Sequence, residues 1–240
     1  METLVTEKVS IVLPRPGRLL TLPAAGVNQM DVKDRILTKA AELFMRYGIR
    51  SITMDEIAAQ LGISKKTIYQ FFTDKDDMVY AVIEQEIKKN EHECLQYRYD
   101  SNDSVHEIFL AVEDLEEMLR YTNPMMLYDL EKYHPRAFQK IREYKYQFLH
   151  EAILENLRKG IEDGVYRPEI NRDIVAKNRI ESAFLVFNPD LFPHSRYKMS
   201  EVNFELAMLF LYGIVTDKGR KLIEKYTEER TKKLSHEQNA

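Results

Sequence analysis

From Asp31 onward, apolar residues recur at intervals of three and four and no alternating stretch competes with them, so the chain reads as one helix after another. After an opening helix, Ile57, Ala58 and Leu61 form one edge of a short second helix. Ile68, with Phe71 or Phe72, marks the buried side of a third. Met78, Val79, Val82, Ile83 and Ile87 make the stripe of a connecting helix over residues 74 to about 98. Ile108, Phe109, Val112, Leu115, Met118 and Leu119 make the next, opened by Ser104 and Glu107. Asn123-Pro124 predicts a cap with proline in the first helical position, opening a short helix to Tyr133. Pro135 opens a long helix through Phe138, Ile141, Phe148, Ile153 and Leu157, ending near Gly164. Two apolar helices follow, near 172–187 and 200–215, the second capped by Ser200. A charged helix runs to about Leu234, and residues 235–240 read as a frayed tail. The fold class is all-α.

The region 53–72 carries the most local information. Thr53 followed by Glu56 is a capping box: the hydroxyl meets a free backbone N–H of the first turn and the carboxylate reaches back. Gly62 accepts the left-handed conformation that a sharp helix exit requires, Ile63 packs the corner, and Ser64 caps the next helix. Ala58 is small where that helix crosses. Two short helices at a tight turn fit a helix-turn-helix.

With Ile68 turned inward, Lys65, Lys66, Thr67, Tyr69 and Gln70 face outward. Lysines near a helix start meet phosphates or guanine edges, Thr67 and Tyr69 donate to phosphate oxygens, and Gln70 pairs with an adenine edge. Lys75, opening the following helix, can clamp the backbone. Between Asp31 and Met78 eight basic residues are cancelled by eight acidic ones, so the positive field is local, centred on Lys65 and Lys66.

The run Ala40-Ala41-Glu42-Leu43-Phe44, then Tyr47-Gly48, Thr53, Ile57-Ala58, Gly62, Ser64, Thr67, Tyr69, Phe72 and Lys75 resembles the amino-terminal domain of the TetR family of one-component bacterial regulators. The resemblance covers Val32 to about Met78, a fifth of the chain. It implies a three-helix DNA-binding domain followed by a helical bundle that binds a ligand and dimerises. It further implies that Thr67, Tyr69 and Lys75 touch phosphates, that Lys65, Lys66 and Gln70 face bases, and that Thr53 or Met54 approaches the backbone. Phe71, also placed at the DNA, stands where the family often has histidine.

Three prolines and two glycines with no lasting periodicity set residues 1–29 apart as a flexible arm, with Arg15 and Arg18 available near DNA. Met30, directly before the first helix, is a candidate alternative start. The expected division is then 30–76 for the DNA-binding domain and 77–234 for effector binding and dimerisation. The helices near 172–187 and 200–215 are apolar on more than one side, which predicts a homodimer through them. Phe109, Met118, Tyr121, Met125, Tyr128, Tyr144 and Phe148 combine adaptable thioethers with amphipathic rings, a lining suited to a small apolar or aromatic effector. The expected mechanism is a repressor on a palindromic operator, released when ligand wedges between the central helices and spoils the spacing of the two reading helices.

Composition narrows the field further. A net charge of −4 argues against diffuse polyanion binding, and no run of apolar residues is long enough to span a membrane. A single cysteine, Cys94, suits a reducing cytoplasm. The six histidines are scattered, so no metal and no cofactor is expected, and no phosphate loop or nucleophile elbow marks an enzyme. Glu113, Glu116 and Glu117 read as a solvated face. Two rivals remain: a DNA-binding protein governed by a protein partner, and a ligand carrier with a vestigial reader.

Overall fold

The computed structural model describes residues 31–238; the expected arm over 1–29 lies outside them. Helix α1 (Val32–Tyr47) turns Ile36, Leu37, Ala40 and Phe44 inward and ends at Gly48, whose φ of +83° takes the left-handed exit. Helix α2 (Met54–Leu61) opens with the predicted capping box: Thr53 Oγ1 accepts from the Glu56 amide at 3.2 Å, and Glu56 Oε2 accepts from the Thr53 amide at 2.7 Å. Gly62, at φ +66°, closes α2.

Space around Gly62 is open, so only backbone conformation opposes a side chain there. Gly62→Ala is expected to cost about 1–2 kcal/mol of stability, read as a lower thermal midpoint. An unchanged midpoint would show that the turn relaxes freely.

Ser64 caps α3 (Lys65–Tyr69), accepting from the Thr67 amide at 3.1 Å. Ile57, Ile68, Phe72 and Met78 join α1, α2, α3 and the start of α4 (Lys75–Asp100) in one core. Leu130 of α6 (Met126–Tyr133) and Ala137 of α7 (Pro135–Glu143) belong to that same core, so the first three helices are seated directly on the central ones. A second core, with Phe109, Leu157, Tyr166, Leu211 and Ile223, joins α5 (Ser104–Tyr121), α8 (His150–Glu162), α9 (Arg172–Phe184), α10 (Met199–Ile214) and α11 (Asp217–Gln238). Between α7 and α8 the chain stays helical but widens to π-helix over Tyr144–Leu149. Among the described residues the only β feature is an isolated bridge between Tyr166 and Val215.

Several expectations are corrected. Pro124 lies in a turn, with Asn123 Oδ1 accepting from the Met125 amide at 2.9 Å, and α6 starts two residues later than proline would allow it to. Ser200 sits inside the first turn of α10, whose cap residue is Lys198 and makes no side-chain cap bond. Helix α11 continues to Gln238, through most of the expected tail. Glu116 is not solvated: it is buried on α5 and accepts from Arg230 Nη2 of α11 at 2.8 and 2.9 Å, beside a Glu113–Lys233 pair at 2.9 Å. Burial holds the Glu116 carboxyl above its ordinary range while Arg230 pulls it back.

Candidate nucleic-acid interface and interior cavity

Because Ile68 is fully buried, the phase of α3 is fixed, and Lys65, Lys66, Tyr69 and Gln70 are exposed. Lys66 has no ion-pair partner among the described residues. Lys65 pairs with Asp55 of α2 at 2.8 Å, and that hydrogen bond holds its ammonium above the ordinary lysine value. Solvent screens an exposed pair of this kind, so it adds little to stability and a phosphate can replace Asp55. Tyr69 remains 46% exposed, with the Lys65 ammonium 5.9 Å from its ring centre.

The other candidates are less free. The Thr67 hydroxyl is half-buried and shares a 2.8 Å hydrogen bond with Ser64. The Thr53 hydroxyl is exposed but engaged by Glu56, whereas Met54 is buried and cannot be the residue of that pair that reaches outward. Phe71 is half-buried against the core of α1–α4. Lys75 is half-buried, its Nζ 3.5 Å from the Arg50 carbonyl. Burial pushes its pKa below the ordinary lysine value, against the pull of Asp129 and Glu56.

Behind this surface lies a cavity of about 310 Å³. Its wall includes Ala41, Phe44 and Met45 of α1, Ile83 and Ile87 of α4, Met118 of α5, and Ile180 and Phe184 of α9. Of the residues expected to line a pocket, Met118 and Tyr144 do so. Phe148 stacks on Tyr144, with ring centres 5.7 Å apart, but does not itself line the cavity. Phe109 is packed against Tyr226 in the second core instead. Tyr121, Met125 and Tyr128 are exposed, and Tyr128 accepts from Lys132 at 2.8 Å. Composition pointed to these four, but the packing of α5 and α6 turns them elsewhere.

The cavity wall also holds polar groups that composition did not single out. Asn156 Nδ2 donates to Glu107 Oε2 at 2.9 Å, and Arg98 lies 3.5 Å from the same carboxylate. Tyr97 is hydrogen-bonded to Asp114, and Cys94 to Tyr144; burial raises both tyrosines and pushes the Cys94 thiol up to about 11, so it is an inert packing residue at neutral pH. Arg179 of α9 reaches this wall as well, buried to 6% exposure.

The family described as bacterial regulatory proteins, tetR family, has a model that matches residues 36–82, which spans α1, α2, α3 and the start of α4. Over 187 residues, 76% of this chain and 95% of the relative, the chain is 28% identical to YvaF of Bacillus subtilis, an uncharacterized HTH-type transcriptional regulator. In fold it is similar to a transcriptional regulator from Saccharomonospora viridis solved in complex with choline, with a TM-score of 0.64 at 18% identity over 78% of this chain and all of that one. A TetR/AcrR-family regulator from Thermobifida fusca gives 0.58 at 20% identity, covering 75% of this chain and 97% of its own. Outward-facing α3, the matched amino-terminal helices and the full-length likeness to an HTH-type regulator lead to one assignment: residues 36–82 are the DNA-binding domain of the TetR family of transcriptional regulators.

Proposed function

We propose that this regulator is a cytoplasmic repressor that grips a palindromic operator as a homodimer and lets go when a small molecule fills its interior cavity. Residues 30–76 would read the DNA, and residues 77–234 would hold the effector and the second copy. The observation that carries the reading is the position of the cavity. Its wall includes Ala41, Phe44 and Met45 of α1, the helix on which α2 and α3 are built, so an occupant presses on the base of the reader without a relay. Two further ties cross here: the Asn123 amide donates to the Met45 carbonyl at 2.6 Å, and His134 lies 2.8 Å from Asp76 at the start of α4. A shift of α4 and α6 therefore moves α1, and with it the spacing of two α3 helices, which must stay near one DNA turn, roughly 34 Å.

A regulator answering to a protein partner would need no such interior space, and the cavity favours a small molecule. The choline-bound neighbour is a protein of this fold that takes up a small ligand, which supports the same reading. The test is selection of bound sequences from random duplexes, followed by affinity measurements on the recovered site with candidate effectors. A recovered site without two-fold symmetry would refute the dimeric grip. An affinity indifferent to every ligand that binds the cavity would refute the release mechanism.

Dimerisation rests on a separate observation. Leu209 is 72% exposed and Tyr212 47% on α10, with Ile174 62% exposed on α9. Apolar side chains left in water on two neighbouring helices support a self-complementary contact about a two-fold axis. Leu209→Glu places two like charges near that axis and is expected to yield a monomer with near-native helix content by light scattering. A variant that stays dimeric at micromolar concentration would move the interface elsewhere.

A further inference from the structure

We infer that the cavity selects an effector with an apolar body and one carboxylate, and that Arg179 is the residue that pairs with that carboxylate. This rests on the reading of the cavity as the effector site and adds the chemical class of what fills it. Arg179 sits on α9 in phase with Ala176 and Ala183, on the helix's inward side, and lines the cavity. Its Nη1 is buried without a hydrogen-bond partner, and no carboxylate pairs with it among the described residues. Among the described residues its charged group faces the Phe210 ring, 5.7 Å from the guanidinium carbon. Burial alone pushes the guanidinium down to about 10, so it remains a cation at neutral pH.

An unpaired charge away from water is costly, and a ring contact offsets only a small part of that cost. The remaining demand is for an anion, and a planar guanidinium matches a carboxylate in two parallel hydrogen bonds. The acidic groups on the wall do not meet it. Glu107 is held by Asn156 and Arg98, and Asp114 by Tyr97. Glu86 of α4 is half-buried, and burial raises its carboxyl toward the neutral form against the pull of Lys89. The fourth carboxylate on the wall, Glu93, lies 3.8 Å from the Lys89 ammonium, and besides Asn90 and Cys94 the rest of the wall is largely aliphatic and aromatic, with Ile83, Ile87, Met118 and Phe184 on three helices. A volume of about 310 Å³ lies at the small end of ligand sites, which run from roughly 300 to 1,000 Å³. An alkyl or aryl monocarboxylate fits that size and that wall.

The test measures binding without DNA by calorimetry, using decanoate, decanol and decyltrimethylammonium below their micelle concentrations, on the full chain and on Arg179→Gln. Expected is a preference of about ten-fold or more for decanoate over decanol. Arg179→Gln should erase that preference by weakening decanoate and leaving decanol unchanged. A second readout needs no ligand: Arg179→Met should raise the thermal midpoint of the free protein, because it removes a buried unpaired charge. The inference is overturned by equal binding of decanoate and decanol, by preference for the cation, by binding of none of the three, or by a lowered midpoint in Arg179→Met. If decanoate preference holds while operator affinity ignores decanoate, the charge selectivity stands and the release mechanism falls.

Discussion

Replacing Lys65 and Tyr69 together with Ala is expected to abolish operator binding while leaving the fold intact. Both side chains project from α3 into solvent, and the residue that anchors the helix, Ile68, is untouched. Alanine is a good helix former, and the Lys65–Asp55 pair that is lost is exposed. A contact to a base or phosphate contributes about 1–3 kcal/mol, and in a dimer each is made twice, so the loss should reach roughly a hundred-fold or more. Fluorescence anisotropy on the selected duplex measures it, and the salt dependence of binding should flatten as phosphate contacts disappear. A double variant with a native circular dichroism spectrum and native affinity would remove α3 from the interface. The ligand-carrier reading would then be the better account of the chain.

Gly160→Ala is expected to be strongly destabilising, although glycine inside a helix is normally improved by alanine. Gly160 lies within α8, where that exchange should gain about 1 kcal/mol. A Cβ there would stand 2.1 and 2.3 Å from ring carbons of Tyr166, which is fully buried. The ring cannot move away cheaply. Its hydroxyl lies 2.9 Å from the Ser104 carbonyl and 3.1 Å from Asn156 Oδ1, and the Val165 and Tyr166 amides both donate to the Gly160 carbonyl at 2.9 Å. Overpacking and a disturbed buried hydrogen bond together outweigh the helix gain, for a net loss of roughly 2–3 kcal/mol. That corresponds to a fall of about 5–10 °C in thermal midpoint for a chain of this size. The sign should reverse in a Tyr166→Ala background, where the ring is gone and alanine keeps only its helix advantage. Destabilisation of the same size in both backgrounds would show that the ring is not the cause.

The helix-turn-helix was readable because every device in it is local. Thr53 and Glu56 are three residues apart, Gly62 follows directly on α2, and Ile68 fixes the phase of α3. The cavity was only half readable. Methionine and tyrosine content identifies a region that suits a ligand, but which way Tyr121, Met125 and Tyr128 face depends on contacts distant in sequence, such as the Asn123 amide on Met45. Glu116 was misjudged, and Arg179 drew no notice, for one reason. Glu116 lies in phase with Val112 and Leu119, and Arg179 with Ala176 and Ala183, so each interrupts an apolar stripe. Such a residue is buried and must be answered. Arg230 answers Glu116 from a helix more than a hundred residues away, which no local pattern could reveal.

The π-helical stretch at Tyr144–Leu149 bears on how this chain tolerates changes of length. An α-helix advances about 100° per residue. Wound that way from Ile141 onward, it would carry Leu157 and Gly160 away from the side on which Ala137 is buried. The wider winding takes up the equivalent of one inserted amino acid and turns Leu157 and Gly160 back by about 100° toward that side. Loss of one codon in this stretch would let the rod wind regularly with Ala137 and Leu157 still seated. What would change is the aim of Tyr144 and Leu149, both on the cavity wall. A change of one residue there would therefore reshape the cavity wall without rebuilding the scaffold.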